Sequence, residues 1–255
     1  DEKEAAQAVA RLVNLSLLKV VEGKDERYRL HDLLDEYAGD KLQGSGEDEA
    51  ARRAHAQYLI ALFDKHSTDD PSTAPEVAFE LDNLRAAAVW ATAAKDGTRL
   101  ALLATKPSNW FIVLSLHAEW EPWLRMALDL GIEDGGLQAN CIKSLGDVHT
   151  ALSELPAARA RYAEALPLYR AIGAKLGEAN CIFSLGDVHT RLSELPAARA
   201  RYAEALPLYR AIGAKLGEAN CIFSLGDVHT RLSELPAARA RYAEALPLYR
   251  AIGDK

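Results

Sequence analysis

Residues 136–255 are one 40-residue text written three times. Segments 176–215 and 216–255 differ only at Ala214 versus Asp254, and 136–175 follows them with a few changes, Lys143 for Phe183 and Ala151 for Arg191 among them. Self-similarity at that period constrains the fold more than any local propensity. Each copy must be one supersecondary unit, too small to bury its own apolar faces, so the copies must stack. The cysteines obey the same rule: Cys141, Cys181 and Cys221 are one position of the unit seen three times, not halves of a disulfide or a metal cage.

Within a copy, Ala179, Ile182, Leu185, Gly186 and His189 recur at three- and four-residue steps and share one stripe of a first helix. Ala198, Tyr202, Ala205, Leu206 and Tyr209 do so on a second. Ser193-Glu194-Leu195-Pro196 interrupts the pattern, and Pro196 suits a first helical position, where its missing N–H has no partner to lose. Gly213 supplies a left-handed end to the second helix, while Pro207 falls inside it and predicts a lost backbone bond and a bend. Gly186 and Ala198 lack bulk, so the two helices can approach closely and Tyr202 fills the remaining space.

Leu185-Gly186, Ala198, Tyr202 and Ala205, with Leu145-Gly146, Ala158, Tyr162, Ala165 and Leu225-Gly226, Ala238, Tyr242, Ala245, give 136–255 its resemblance to tetratricopeptide repeats. The period of 40 is that of the longer-helix branch of that family, and His189 stands where a large aromatic is usual. The resemblance implies an α-solenoid whose first helices line a concave groove. By helical spacing the stripe opposite the packing stripe holds Asn140, Lys143, Ser144, Asp147, Thr150 and Ala151, then Asn180, Phe183, Ser184, Asp187, Thr190 and Arg191, then Asn220, Phe223, Ser224, Asp227, Thr230 and Arg231. Such a lining offers hydrogen bonds to a peptide backbone, a partner for carboxylates and an aromatic anchor, which points to a protein or peptide as ligand. The same stripe also reads as an ordinary solvated helix face. His149, His189 and His229 lie on the packing stripe roughly 10 Å apart, a helix-to-helix spacing, too far to share a metal ion. They and the cysteines read as buried packing residues.

The N-terminal half carries a different pattern. A helix over 1–13 has Ala5, Val9, Leu12 and Val13 on one side. Leu17–Val21 and Arg27–Leu30 flank a polar turn and predict a hairpin, after which His31–Ala38 resumes helical spacing. Ser16-Leu17-Leu18 followed by Arg27-Tyr28-Arg29-Leu30-His31-Asp32-Leu33-Leu34 resembles the winged helix that follows the nucleotide-binding core of STAND ATPases of the NB-ARC kind. That resemblance implies a nucleotide-sensing role for His31, at the ADP β-phosphate, in a longer protein whose ATPase module lies upstream of Asp1. Read from its surroundings alone, His31 is equally a helix-start residue. No GxxxxGK[ST] loop occurs in these residues, so ADP or ATP is implied only for that longer protein and no cofactor is expected here. Residues 48–66 and 76–95 predict amphipathic helices around a loop from Ser67 to Pro75. Leu81-Asp82-Asn83-Leu84-Arg85 and Trp90 resemble the linker of such ATPases, and 98–130 resembles a degenerate hairpin with a break at Lys106-Pro107-Ser108. Trp90, Trp110, Trp120 and Trp123 cluster there as core, capping the array.

The expected architecture is therefore mainly α: a partial winged helix with one small β-hairpin over 1–44, a helical linker over 45–97, a degenerate hairpin over 98–135, and a three-repeat solenoid over 136–255. The formal net charge is −7, and residues 1–135 carry 15 Lys and Arg against 25 Asp and Glu. That field repels phosphate backbones, which opposes nucleic acid as a partner and a reading as a DNA-binding regulator despite Lys24, Arg27 and Arg29 on the wing. No catalytic or metal-binding arrangement stands out, and no leader or apolar run near 18 residues marks secretion or a membrane span, so a cytoplasmic setting is expected. A sensing arm of a STAND ATPase, autoinhibited through its winged helix, accounts for most features. A self-associating repeat scaffold is a further reading, since near-identical copies can fit one another end to end.

Overall fold

The computed structural model describes residues 2–15, 17–21, 27–30, 32–65 and 79–253, and the chain divides into two compact units, 1–55 and 56–255. In the first, helix α1 (Glu2–Asn14) precedes strands β1 (Leu18–Val21) and β2 (Arg27–Leu30). The strands pair antiparallel, Leu18 opposite Leu30 and Val21 opposite Arg27. Helix α2 (Asp32–Ser45) follows, and α3 (Asp48–Lys65) opens with Asp48 and Glu49, acids that suit a helix N-terminus. His31, the turn at 22–26 and the loop from Ser67 to Pro75 lie outside the described residues.

The second unit begins at Ala56, within α3, and continues with α4 (Leu81–Ala93), α5 (Gly97–Thr105), α6 (Ser108–Val113) and α7 (His117–Leu130). The resemblance over 98–130 anticipates two helices, and the structure builds three. The break at Lys106-Pro107 is where expected, but a second falls at Ser115, whose φ of +57° ends α6. Trp90, Trp110 and Trp120 are buried, Phe111 stacks on Trp120 with ring centroids 5.4 Å apart, and Trp120 Nε1 donates to the Ala104 carbonyl at 2.8 Å. This core runs on without interruption to Leu137, Cys141, Leu145 and Val148, so the middle region covers the first face of the repeat array.

The repeats are three helix pairs: α8 (Gly135–Ala151) with α9 (Leu155–Ala171), α10 (Lys175–Arg191) with α11 (Leu195–Ala211), and α12 (Lys215–Arg231) with α13 (Leu235–Ala251). Each second helix has its proline in the first turn, as Pro196 predicts, and continues through its inner proline, Pro207 in α11. Gly173 and Gly213 take the left-handed conformation expected after those helices, φ +69° and +70°. The turn inside each pair falls at the interruption expected from Ser193-Glu194-Leu195-Pro196, and its left-handed serine is a feature that the sequence pattern does not announce: Ser153, Ser193 and Ser233 hold φ between +61° and +62°.

Two ring-on-glycine contacts set the spacing of the stack. A Cβ on Gly186 would lie 2.5 Å from Tyr202 Cε1, so only glycine lets α10 and α11 close on that ring, and Gly146 and Gly226 repeat the contact with Tyr162 and Tyr242. A Cβ on Gly177 would lie 2.4 Å from the Tyr169 ring of the preceding pair, as would one on Gly217 from Tyr209. Tyr162, Tyr169, Tyr202 and Tyr209 are buried, and the thiols of Cys141, Cys181 and Cys221 sit fully covered at helix contacts, where burial pushes each up to about 12. Cys181 Sγ donates to the Tyr162 carbonyl at 3.0 Å.

Gly186→Ala therefore forces the Tyr202 ring from a packed, hydrogen-bonded seat, and equilibrium urea unfolding should show a loss of about 1–3 kcal/mol, the usual scale for overpacking. Ala203→Gly, on the exposed side of α11, should cost only the helix-propensity difference of about 1 kcal/mol.

Candidate functional site

The first helices of the three pairs, α8, α10 and α12, carry all the groove candidates, and the second helices hold most of them in place. Tyr169 Oη donates to Asn140 Oδ1 at 2.8 Å, Tyr209 to Asn180 at 2.7 Å and Tyr249 to Asn220 at 2.6 Å. Each asparagine carbonyl is thereby fixed, which orients the amide N–H groups away from the tyrosine. Tyr162, Tyr202 and Tyr242 likewise donate to Asp147, Asp187 and Asp227 at 2.9, 2.7 and 2.7 Å. Thr150, Thr190 and Thr230 return their hydroxyls to the carbonyls of Gly146, Gly186 and Gly226, at 2.8, 2.9 and 3.0 Å, and contact the same phenols. The threonines thus serve the helix as much as the groove.

At the position where the repeats diverge, Lys143 Nζ pairs with Asp147 Oδ2 at 2.8 Å. Phe183 packs on Tyr202 with centroids 5.4 Å apart, and Phe223 on Tyr242 at 5.3 Å, leaving Phe223 44% exposed. Arg191 and Arg231 behave differently from the expected carboxylate partner. Arg191 reaches back to the preceding repeat, donating to the Thr150 carbonyl and to Ser153 Oγ at 2.9 Å, and Arg231 does the same to Thr190 and Ser193. They add a second donor to the Thr150 and Thr190 carbonyls, which already accept the Ser153 and Ser193 N–H groups, and tie adjacent repeats together.

Two adjoining clefts bring the candidates together. One, of about 660 Å³, is lined by Asn140, Lys143, Asp147 and Asn180, with Tyr169 beneath and Lys106, Asn109 and Thr105 from the capping region on its far wall. A second, of about 310 Å³, gathers Asp147, Thr150, Asp187 and Arg191 under Ile112. The capping residues Thr105, Lys106, Asn109 and Ile112 were missed by the repeat-based reading because they stand outside the repeats. Phe183, Thr190, Asn220, Phe223, Asp227 and Thr230 lie outside both clefts. Burial raises the Asp187 carboxyl to about 6, against the lowering effects of its Tyr202 hydrogen bond and of Arg191. His149, His189 and His229 each place Nδ1 on a glutamate five residues on, 2.7 Å for His149 and Glu154, and among the described residues no group of three His, Cys, Asp or Glu is placed to hold a metal ion. No helix among the described residues is long and apolar enough to cross a membrane.

The sequence profile of the tetratricopeptide repeat family matches residues 138–211 and 178–251. The array is built of tetratricopeptide repeats. No curated protein sequence matches the chain significantly. Among solved structures, the apo form of RapI superposes with a TM-score of 0.61 at 14% identity, over 68% of this chain and 64% of that one. Aspartyl phosphate phosphatase F from Bacillus subtilis gives 0.65 at 14%, over 99% and 63%. The Rap conjugation gene regulator of plasmid pLS20, in complex with the Phr* peptide, gives 0.56 at 18%, over 71% and 53%. The chain thus spans less than two thirds of the length of each of these three, and the likeness is one of fold.

The raised Asp187 carboxyl makes tetratricopeptide packing pH-dependent with a definite sign. Near pH 4 the folded chain holds a proton there that the unfolded chain is losing, and the resulting stability is gone once the pH has passed about 6. Asp187→Asn keeps a carbonyl acceptor for Tyr202 and has no proton to lose. Thermal midpoints recorded from about pH 4 to pH 7 should fall less steeply for the variant than for the parent chain, leaving the variant the more stable at pH 7.

Proposed function

We propose that the repeat groove binds an extended peptide or protein segment, gripping its backbone with the asparagine amides. The carrying observation is the tyrosine-fixed set of Asn140, Asn180 and Asn220: each carbonyl oxygen is used by a phenol, and each NH2 is left to face a ligand. The first helices recur at roughly 10 Å, about three residues of an extended chain, so successive amides meet every third residue's carbonyl. Lys143, paired with Asp147, and Lys106, paired with Asp64, put ion pairs at one end of the groove, and Phe223 puts an aromatic ring at the other. The Rap regulator bound to the Phr* peptide supports the reading as a fold of the same kind that holds a peptide.

This groove is further read as the sensing arm of a larger regulatory protein of the STAND ATPase type. The support is the order of parts: a two-stranded hairpin ending at Leu30, the sequence Leu30-His31-Asp32, then helices and repeats. In that reading His31 senses ADP in a nucleotide-binding domain upstream, the setting is cytoplasmic, and ligand binding favours the state in which the first unit is released from that domain. In a full-length protein, His31→Ala should speed ADP release, and unchanged release would remove the switch while leaving the groove reading intact.

The groove is tested by selecting displayed peptides on the whole chain and titrating the best by calorimetry. Asn180→Asp keeps the acceptor for Tyr209 but replaces two donors by a negative charge, so affinity should fall at least about tenfold with little change in thermal midpoint. Peptides that bind the variant and the parent alike would place the ligand elsewhere.

A further inference from the structure

The groove repeats at a distance that a β-strand matches in length but not in facing. Neighbouring first helices touch directly, α10 with α8 and α12 with α10, which sets the repeat at roughly 10 Å. A strand covers that distance in about three residues, but its residues face alternate sides, so residues three apart present opposite faces. A polyproline II chain turns once in three residues and advances about 9 Å per turn, so every third residue shows the same face at nearly the spacing of the array. Repeats two and three are the same text and present the same groups, which suits a ligand that itself repeats.

The groups presented fit such a chain. On α10, Asn180 and Phe183 are three residues apart and share a face, as Asn220 and Phe223 do on α12. The asparagine carbonyls are taken by Tyr209 and Tyr249, so each amide offers donors without an acceptor. Beside each amide stands an aromatic pair: Phe183 against Tyr202, and Phe223 against Tyr242, with Tyr249 edge-on at 6.4 Å. A strand brings N–H groups as well as carbonyls to its partner, whereas proline has no N–H and the polyproline helix leaves every carbonyl free to accept. The carboxylates of Asp187 and Asp227 stand seven residues beyond the asparagines, about 10 Å along each helix, and so face a different part of any ligand.

We infer that the groove is specific for a proline-rich segment in the polyproline II conformation, one turn per repeat, with proline rings three residues apart on Phe183 and Phe223 and neighbouring carbonyls on the amides of Asn180 and Asn220. The inference rests on the groove being a peptide site and adds the class and conformation of the peptide. In the first repeat Lys143 replaces the ring, so the aromatic frame covers two turns, about six residues. Such a segment is already ordered in water, so little conformational freedom is lost when a rigid groove takes it.

The probe is acetyl-decaproline amide, titrated into the whole chain by calorimetry beside an acetyl-Gly-Ser repeat amide of equal length. Saturable binding of decaproline and none of the Gly-Ser peptide is expected. Phe183→Lys with Phe223→Lys gives repeats two and three the residue that the first repeat carries at this position, so the stack keeps its fold, and it should weaken decaproline binding at least about tenfold. Asn180→Asp should weaken it as well. Decaproline that does not bind, that binds no better than the Gly-Ser peptide, or that binds the parent and the double lysine variant alike overturns the inference. Displayed peptides that depend on Asn180 yet carry no proline at three-residue spacing also overturn it and leave the groove standing as a peptide site. Peptides indifferent to Asn180→Asp remove both.

Discussion

A tyrosine ring lying on a glycine is the contact from which the rest of this molecule follows. With Gly186 under it, the Tyr202 ring is buried between α10 and α11, and a buried phenol needs a hydrogen-bond partner. Asp187 supplies it, one residue after the glycine on the turn that presents the groove. Tyr209 makes the same bargain across the junction: its ring rests on Gly217 of the next repeat while its hydroxyl fixes Asn180 of its own. One residue type thus packs the helices with its ring and orients the groove with its oxygen. Stacking and ligand presentation cannot be varied separately, which is a physical reason for the groove to be polar and rigid.

How much of this could be read from the chain follows from what periodicity encodes. A 3.6-residue stripe reports which face of a helix is buried, so the two helices of each repeat, the Gly186–Tyr202 pair and the proline start of α11 were legible. A stripe does not say which neighbour covers it. Gly177 passed unnoticed because the ring that demands it, Tyr169, belongs to the preceding repeat. Arg191 shares the groove stripe by spacing, but its length lets it fold back to Ser153 and to the Thr150 carbonyl, which already accepts the Ser153 N–H and takes the guanidinium as a second donor. Ser193 gave no sign of a left-handed turn, since its composition does not demand one. Over 98–130 there is no repeated text to average, and two helices were anticipated where three form.

Exact repetition also carries a functional cost, and the structure shows where it is relieved. A ligand held by identical sites every 40 residues has several registers of nearly equal energy, and a shift by one repeat changes little at α10 and α12, whose exposed residues are the same. Discrimination must come from positions where the text changes. On the groove these are Lys143 in place of phenylalanine and Ala151 in place of arginine, both on α8, together with the wall contributed by Lys106 and Asn109 from outside the repeats. Lys143 is held at Asp147, so its charge is placed rather than free to follow the ligand. The capping region therefore does two things: it covers the apolar face that α8 would otherwise leave wet, and it adds Lys106 and Asn109, residues from outside the repeated text, to the lining of the cleft beside Asn140.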